Sequence, residues 1–335
     1  MTARILSLAL VFAAAQPAVP VEGSLAAAAR KAAGARSPVW VAWTVPMVAG
    51  QGYTCCLTRD FKPGPCRLEQ RYQSWGSSEG PGFPPPDGTL RVFARLVKGE
   101  VSRIRAVSGN CPIDAGAVPV VELAGVEPGQ SVTWLHEAAK GDRTKDAEVG
   151  EAAASALALH RNAGADAALI DLASPRYVSE LREQALFWLG SARGRPGFEA
   201  VARVVESEAD EEILQAAVNA LAESPVEEAG ALLVRLSRAH RDPEIRGEAL
   251  FWLAEKGHPQ AVEVILAALD NDPDEEVREQ AVFALSQLPK GEGVPYLVKI
   301  GREHRDREIR KQAILWLTES DDPRAAAFID KMLED

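Results

Sequence analysis

The stretch Asp-Pro-Asp-Glu-Glu-Val-Arg-Glu-Gln-Ala-Val-Phe-Ala-Leu at residues 272–285 contains the pattern that decides the fold. An apolar residue, Val277, is followed by Ala281 four positions later and by Leu285 eight positions later, and these spacings define one face of a helix. Asp274 is a good N-cap, and glutamates in the first turn favour the helix dipole. The sequence therefore predicts a helix that begins just after Asp274.

The same framework recurs every 32 residues without an insertion, as from Val277 to Ile309. A second amphipathic segment, such as residues 260–269, completes each unit, and a helix pair of this size cannot bury its apolar face alone. The sequence therefore predicts a mainly α-helical protein in which residues 146–335 form a solenoid of six helix pairs. The framework consists of an apolar position (Val149, Leu181, Ile213, Ile245, Val277, Ile309), an alanine (Ala153, Ala185, Ala217, Ala249, Ala281, Ala313) and a leucine (Leu157, Leu189, Leu221, Leu253, Leu285, Leu317).

The framework resembles a known family of repeats. The motif D-x-E-[VIL]-R-x-x-A, carried here by Asp274, Glu276, Val277, Arg278 and Ala281, is similar to the HEAT-like repeats, including the type seen in phycobilin lyase-related proteins. The resemblance implies a right-handed α-α superhelix whose first helices line the concave side. It implies no particular activity.

The resemblance also implies a ladder between neighbouring repeats, in which an aspartate lies six residues before the arginine of the motif. Asp272 and Arg278 match this spacing. Elsewhere the aspartate is replaced by His240, His304 or Arg176, so we do not expect the ladder to be continuous.

The region before the repeats predicts a small β-rich domain at residues 38–130. The alternation of residues 39–45 predicts a strand whose end at Pro46 is an edge or a turn. A β-hairpin is predicted from residues 89–97 and 101–107, which flank a turn signal. A short strand is predicted at residues 118–123. Residues 16–37 are rich in alanine, glycine and serine, which favours a linker or a short marginal helix. Ser131 is a candidate cap for a connecting helix at residues 131–145.

The N-terminal segment at residues 1–15 is typical of a secretory signal peptide. Arg4 precedes an apolar run at residues 5–15 that is interrupted only by Ser7 and ends in three alanines. We therefore expect a bacterial protein that is periplasmic or secreted, with an ordinary N-terminal helix as the alternative. A run of eleven residues is too short to span a bilayer, and no later segment approaches the roughly 20 apolar residues that a membrane helix needs, so stable membrane insertion is not expected.

All four cysteines lie between the predicted signal and the repeats. An even number of cysteines in an exported, loop-rich region favours disulfides. A bond between the adjacent Cys55 and Cys56 would be strained, so we expect one of them to bond Cys66 and the other to bond Cys111. A zinc site is the alternative, but the chain has no C-x-x-C pair, so no metal is expected.

Charge is divided unequally between the two regions. Residues 1–136 hold 13 Lys and Arg against 9 Asp and Glu, whereas residues 137–335 hold 24 against 39. An acidic solenoid repels phosphate backbones, which excludes general nucleic-acid binding. A protein or peptide that is basic or neutral suits it better.

The sequence contains no G-x-x-x-x-G-K-[ST] motif, no H-E-x-x-H motif and no EF-hand loop. His240 and His304 lie two repeats apart, so we expect them to cap helices rather than to share a metal ion. The leading hypothesis is a non-enzymatic scaffold or adaptor without catalytic residues or a cofactor. The alternative is a lyase-like or other enzyme, or an enzyme subunit, with its site in the cysteine-containing region.

Partner-binding candidates lie on the first helix of each repeat. The sixth position after the framework residue is apolar in most repeats, yet its helical angle places it among polar neighbours such as Glu183 and Glu279. These side chains form either an exposed ridge that anchors a partner or a sideways contact with the next repeat. The candidate ridge residues are Phe187, Phe251, Phe283 and Leu315, with Asn219 at the same position in the third repeat.

Two further sets of residues are weighed. One position of the first helix is tryptophan in every second repeat and alanine in the repeats between. A large ring opposite a methyl group favours interdigitated packing of neighbouring repeats in the core. Four arginines alternate on the predicted hairpin, where they form a solvated face, dock on the acidic solenoid or bind an anion. The two sets are Trp188, Trp252 and Trp316, and Arg91, Arg95, Arg103 and Arg105.

Overall fold

The computed structural model of this chain describes residues 18–50, 53–58, 60, 62, 64–70, 75–78, 87–141 and 148–334. It contains two compact units, an N-terminal unit of Met1–Ala138 with His160–Asn162, and a solenoid unit of Ala139–Leu159 with Ala163–Asp335. The predicted signal at residues 1–15 lies outside the described residues, and so does Asp146, which precedes the first repeat.

A five-stranded sheet organises the N-terminal unit. Its order is β1-β9-β2-β6-β7, where β2 runs antiparallel to β6 and parallel to β9. Two short pairs, β3 with β5 and β4 with β8, lie outside this sheet. The strands are β1 (Val19–Pro20), β2 (Val39–Pro46), β3 (Tyr53–Cys56), β4 (Cys66–Arg67), β5 (Trp75–Ser78), β6 (Thr89–Val97), β7 (Glu100–Ser108), β8 (Ile113–Asp114) and β9 (Val120–Ala124).

The predicted strands of this unit are confirmed, although β2 differs in its surroundings. The hairpin of β6 and β7 turns at Lys98 and Gly99, which both have positive φ, as a two-residue hairpin turn requires. Strand β2 lies in the middle of the sheet rather than at an edge, and Pro46 pairs with Thr89. Because both faces of β2 are covered, its residues up to Trp43 are fully buried.

Two disulfides join segments outside the main sheet. Cys55 bonds Cys111 and Cys56 bonds Cys66, which confirms the expected division of the vicinal pair. All four cysteines are buried in one cluster with Trp40 and apolar residues of β6 and β7. The short strand pairs, which the sequence did not predict, add backbone hydrogen bonds to the same region.

The linker interpretation of residues 16–37 is wrong for the part that the structure describes, and the alternative of a short helix is confirmed. Helix α1 (Leu25–Ala33) begins after Ser24, whose side chain accepts a hydrogen bond from the Ala27 amide. Leu25 and Ala28 are buried, and the helix packs against β2 and β9. An alanine-rich composition suggested a flexible segment, but small side chains also allow a helix to approach a sheet closely.

The prediction that Ser131 caps a helix is wrong. Helix α2 (Pro128–Gly141) begins before it, and the Ser131 side chain is fully buried. Its hydroxyl accepts a hydrogen bond from Trp43 Nε1 at 2.8 Å and lies 2.8 Å from His160 Nε2. A residue type that often caps helices instead joins a central strand to a distant histidine, which no local pattern indicated.

Six helix pairs form the solenoid unit, as predicted. Within each pair we refer to the first and the second helix. The pairs are α3 (Glu148–Leu159) with α4 (Ala163–Leu172), α5 (Ser179–Ala192) with α6 (Gly194–Ser207), α7 (Glu211–Ala222) with α8 (Glu227–Ala239), α9 (Pro243–Glu255) with α10 (Ala261–Asn271), α11 (Glu275–Ser286) with α12 (Val294–Glu303), and α13 (Arg307–Thr318) with α14 (Pro323–Glu334).

The framework residues explain why each first helix forms where it does. The framework alanines and leucines are buried in all six repeats, and Asp274 caps α11 by accepting a hydrogen bond from the Glu276 amide at 2.9 Å. Asp210, Asp242 and Asp306 cap their helices in the same way. The predicted helix starts are therefore confirmed.

A ladder of ion pairs connects some neighbouring repeats. Arg246 donates to Asp272 of the next repeat at 2.7 and 2.8 Å, and Arg182 pairs with Glu208 at the equivalent position two repeats earlier. Arg278 donates instead to the backbone oxygen of Asp272. The ladder is discontinuous, as expected, and its side-chain rungs recur with the period of two repeats.

Candidate partner-binding face of the solenoid

The first helices form the more closely packed layer of the solenoid. Adjacent first helices contact each other more extensively than adjacent second helices do. Gly190 shows how close they come, because a Cβ at this position would lie 2.0 Å from the backbone oxygen of Ala220 on the next first helix. Closer packing in one layer bends a stack towards that layer, so we call the first helices the inner layer.

The predicted ridge residues lie in a row across the inner layer. Phe187 and Leu315 are exposed, with 41% and 49% of their surface accessible, whereas Phe251 and Phe283 are half-buried. The rings of Phe251 and Phe283 stack with their centroids 5.7 Å apart. The central pair therefore makes a sideways contact between repeats and still remains partly accessible. We call Phe187, Phe251, Phe283 and Leu315 the apolar row.

Three tryptophans lie beside the apolar row. The centroid of Trp316 is 4.7 Å from that of Phe283, and Trp252 is 5.0 Å from Phe251. The expectation that the tryptophans belong to the core is wrong in part, because all three are only half-buried. The alternating alanines are fully buried, but an indole is too large for that space and extends to the edge of the layer.

Polar side chains of the inner layer reach these rings. Trp252 Nε1 donates to Asn219 Oδ1 and to Glu248 Oε1, both at 2.7 Å. Burial raises the pKa of Glu248, although the hydrogen bond from Trp252 opposes this change. Asn219, which interrupts the apolar row in the third repeat, therefore positions the tryptophan of the fourth repeat.

Carboxylates dominate the charge of the inner layer. The first helices α5, α7, α9 and α11 carry ten glutamates and three arginines, and these arginines take part in the ladder or bond backbone oxygens. Burial, and then the charges of Glu212 and Glu180, raise the pKa of Glu183. Glu183 and Glu279 are both half-buried, one helical turn before Phe187 and Phe283. A strip of negative charge therefore runs beside the apolar row.

A cleft of about 490 Å³ opens where the fifth and sixth repeats meet. The last turns of α11 and α13 line it through Ser286 and Trp316, and the loops that follow contribute Glu319 and Asp322. Because Trp316 also packs against Phe283, the cleft lies next to one end of the apolar row. The sequence did not predict this cleft.

The hairpin arginines bind groups of their own unit. Arg95 forms two hydrogen bonds to the Glu69 carboxylate, at 2.9 and 3.0 Å, and Arg91 pairs with Glu122. Arg103 and Arg105 donate to backbone oxygens of residues 68–70. The hydrogen bond from Arg95 lowers the pKa of Glu69, and Trp40 adds to this effect. These contacts fix the segment that follows the Cys56–Cys66 disulfide.

The remaining chemical candidates have local structural roles. His240 and His304 each accept a hydrogen bond from the backbone amide two residues later, at 3.2 Å, so each histidine contacts the residue that caps the next helix. The described ranges contain no group of three or more His, Cys, Asp or Glu side chains placed to hold a metal ion. Among the same residues, no helix combines the length and the apolarity that crossing a bilayer requires.

Comparisons with known proteins agree with this architecture. The sequence profile of the family described as HEAT repeats matches residues 231–303 and 265–335. Residues 231–335 therefore contain HEAT repeats. No curated protein shows a significant match to the sequence.

Three solved structures each match part of this chain at low identity and low TM-score. One is the complex of CpcE and CpcF of phycocyanin lyase from Nostoc sp. PCC7120, with 20% identity, a TM-score of 0.32, and coverage of 61% of this chain and 79% of that chain. Human deoxyhypusine hydroxylase in complex with glycerol has 18% identity, a TM-score of 0.27, and coverage of 63% and 80%. The Escherichia coli protein YibA has 17% identity, a TM-score of 0.36, and coverage of 62% and 83%.

Proposed function

We propose that this protein is an exported, non-enzymatic scaffold or adaptor whose HEAT repeats bind a protein or peptide partner on the inner layer. The observation that carries the proposal is the partly exposed apolar row across the first helices. Large apolar side chains with accessible surface among polar neighbours are typical of interaction sites. Solenoids also use the surface of their inner layer for binding.

The composition of the inner layer supports a binding role. Aromatic side chains, phenylalanine among them, are enriched at protein interfaces, and the row places Phe251 and Phe283 at its centre with Phe187 and Leu315 at its ends. Glu183 and Glu279 lie one turn away, where they can form the polar rim of an interface. The row is fixed by its rigid helices, so binding would cost little ordering of the surface.

The contacts of the Ser131 hydroxyl support the non-enzymatic part of the proposal. A serine next to a histidine is an arrangement used in nucleophilic catalysis. Ser131 and His160 are fully buried, however, and the serine hydroxyl already accepts a hydrogen bond from Trp43. A substrate cannot reach this pair, which stabilises the packing of α2 against β2.

A capture experiment with matched variants tests the binding proposal. A photo-crosslinking amino acid at Leu315 in the full-length protein should trap a discrete partner in cells, and Phe251→Ala with Phe283→Ala should reduce its recovery at least about tenfold. The control is Val262→Ala with Leu266→Ala, which removes half-buried apolar side chains from the second helix α10. Unchanged recovery from the folded double variant of the row, or no trapped partner at all, would contradict the proposal.

Export is tested separately. The apolar run at residues 5–15 and the two disulfides, which are typical of oxidising compartments, support it. N-terminal sequencing of the protein purified from its own cells should find a start near Gln16. A chain that retains residues 1–15 and is recovered with the cytoplasmic fraction would show that the export proposal is wrong.

A further inference from the structure

The period of two repeats provides an internal comparison between two tryptophans. Trp252 in the fourth repeat and Trp316 in the sixth occupy equivalent positions. At Trp252 the chain supplies its own cation, because Lys256 Nζ lies 5.5 Å from the centroid of the indole and 2.7 Å from Glu223 Oε1. A tryptophan face next to a carboxylate is a favourable site for an ammonium or guanidinium group. The fourth repeat therefore shows how this position accommodates a positive charge.

The equivalent position at Trp316 has no such cation. Lys256 corresponds to Ser320, whose short side chain lines the cleft of about 490 Å³ together with Trp316. Glu319 contributes a carboxylate to the same cleft, and it forms no ion pair with any residue that the structure describes. The neutral Gln287 takes the place of Glu223, so Glu319, at a different position, supplies the unpaired carboxylate of this open cleft.

The electrostatics of the cleft favour a positive charge. The last turns of α11 and α13 line the cleft, and helix C-termini carry partial negative charge. Asp322 adds a second carboxylate, whose charge is already met by Arg324 at 2.6 Å. Glu319 and the two helix ends therefore remain to attract a ligand, and they would repel an anion.

We infer that this cleft binds a lysine or arginine side chain of a partner protein, with the cation on the face of Trp316 and near Glu319. This inference rests on the proposed function and specifies the chemistry of the partner. Because Trp316 packs against Phe283, an apolar residue of the partner close to its lysine or arginine would lie on the apolar row. The partner segment is therefore both basic and apolar.

The volume of the cleft agrees with this ligand. A space of about 490 Å³ is within the range of pockets that enclose a small ligand and is ample for one long side chain. Lysine and arginine also carry apolar stems, which can pack on Leu288 and Leu297 in the lining while the charged end meets the indole.

Peptide binding to the full-length protein tests the inference. The probe is a fluorescent twelve-residue peptide of repeated Phe-Lys-Ser units, and the comparison peptide has glutamine in place of every lysine. Wild-type protein should bind the lysine peptide about tenfold more tightly, as expected for a cation that is desolvated on an indole. Ser320→Lys should remove this preference, because the new side chain supplies the internal cation that Lys256 supplies in the fourth repeat.

Matched variants separate the possible outcomes. Ser320→Ala should bind both peptides as the wild type does, and Glu263→Gln, which removes a carboxylate from the second helix α10, should keep the lysine preference. An unchanged preference in folded Ser320→Lys would overturn the inference. If both peptides bind equally and both are lost in the Phe251→Ala and Phe283→Ala variant, the row binds a partner but the cleft does not select a cation. If neither peptide binds, both the inference and the proposed row fail.

Discussion

The two units of this chain bring together residues that are separated very differently along the sequence. In the N-terminal unit, Trp40 pairs with Arg95 on one side and with Val120 on the other. In the solenoid, Arg246 bonds Asp272, and Phe251 stacks on Phe283, each in the next repeat. The N-terminal unit depends on distant strands and two disulfides, whereas the solenoid repeats one local solution six times.

This difference explains where local sequence patterns succeed. A repeat contacts only its neighbours, so the constant spacing between repeats in the sequence becomes a fixed distance in the structure. In a sheet with non-local pairing, the same alternation of residues fits an edge strand or a central strand. The stability of the solenoid therefore depends on single rungs and contacts between repeats, and that of the N-terminal unit depends on the closure of long loops.

The largest effect is expected from the disulfides, and it should depend on loop length. Cys55 and Cys111 are separated by 56 residues, and Cys56 and Cys66 by 10. Replacing Cys55 and Cys111 by serine should lower the free energy of unfolding of the N-terminal unit by about 4 kcal/mol, and replacing the other pair by about 3 kcal/mol.

Hydrogen exchange followed by mass spectrometry distinguishes the two units in this experiment. Peptides from β2 and β6 should lose protection, and the loss should be larger when the disulfide that closes the longer loop is removed. Peptides from α9 and α11 should keep their protection. Equal losses in both units would mean that the solenoid also depends on the disulfides, and the contrast drawn between the units would then be wrong.

A smaller effect is expected from breaking one rung of the ladder. The side chains of Arg246 and Asp272 are 10% and 7% exposed, so Asp272→Asn leaves Arg246 buried without its counter-charge. We expect the free energy of unfolding of the solenoid to fall by about 3 kcal/mol. Glu263→Gln, which breaks the exposed pair with Arg238, is the control and should cost less than about 1 kcal/mol.

The same rung predicts a pH dependence. Burial raises the pKa of Asp272, but the hydrogen bonds from Arg246 and the Asp274 amide outweigh burial and lower it. A lowered pKa in the folded state means that the carboxylate stabilises the protein above its ordinary pKa, and that this stabilisation is lost as the pH falls through the folded value. Urea unfolding of Asp272→Asn should therefore depend less on acidic pH than the wild type does. Parallel pH profiles would contradict this role.

The smallest of the three effects tests the close approach of first helices. Gly190→Ala places a Cβ against the Ala220 backbone and should destabilise the solenoid by about 2 kcal/mol. Gly129 in α2 has no atom within 4 Å of the position a Cβ would take, so Gly129→Ala should be nearly neutral. Thermal unfolding by circular dichroism measures both variants. A similar change in the stability of both variants would indicate a general effect of replacing glycine by alanine in a helix rather than tight packing between repeats.

Particular residues show how far the sequence could be interpreted. The angle of Phe187 and Leu315 on their helices placed them among polar neighbours but left exposure and sideways packing both open, and only the structure shows that these two side chains are exposed. The motif does not predict Glu208 as a rung of the ladder, since the motif specifies aspartate, whereas a glutamate at this position also reaches an arginine. The cleft at Trp316 could not be predicted, because it depends on how two repeats and their loops pack.

The sequence by itself determined the number of repeats and the start of each first helix. It also determined that the two adjacent cysteines bond separate partners. These features follow from periods, caps and the strain of a vicinal disulfide, all of which are local. Only the tertiary structure decided that β2 is central, that Ser131 bonds Trp43, and that a cleft replaces the lysine position beside Trp316. Each of these depends on which distant side chains fill the same space, and short-range patterns carry no information about that.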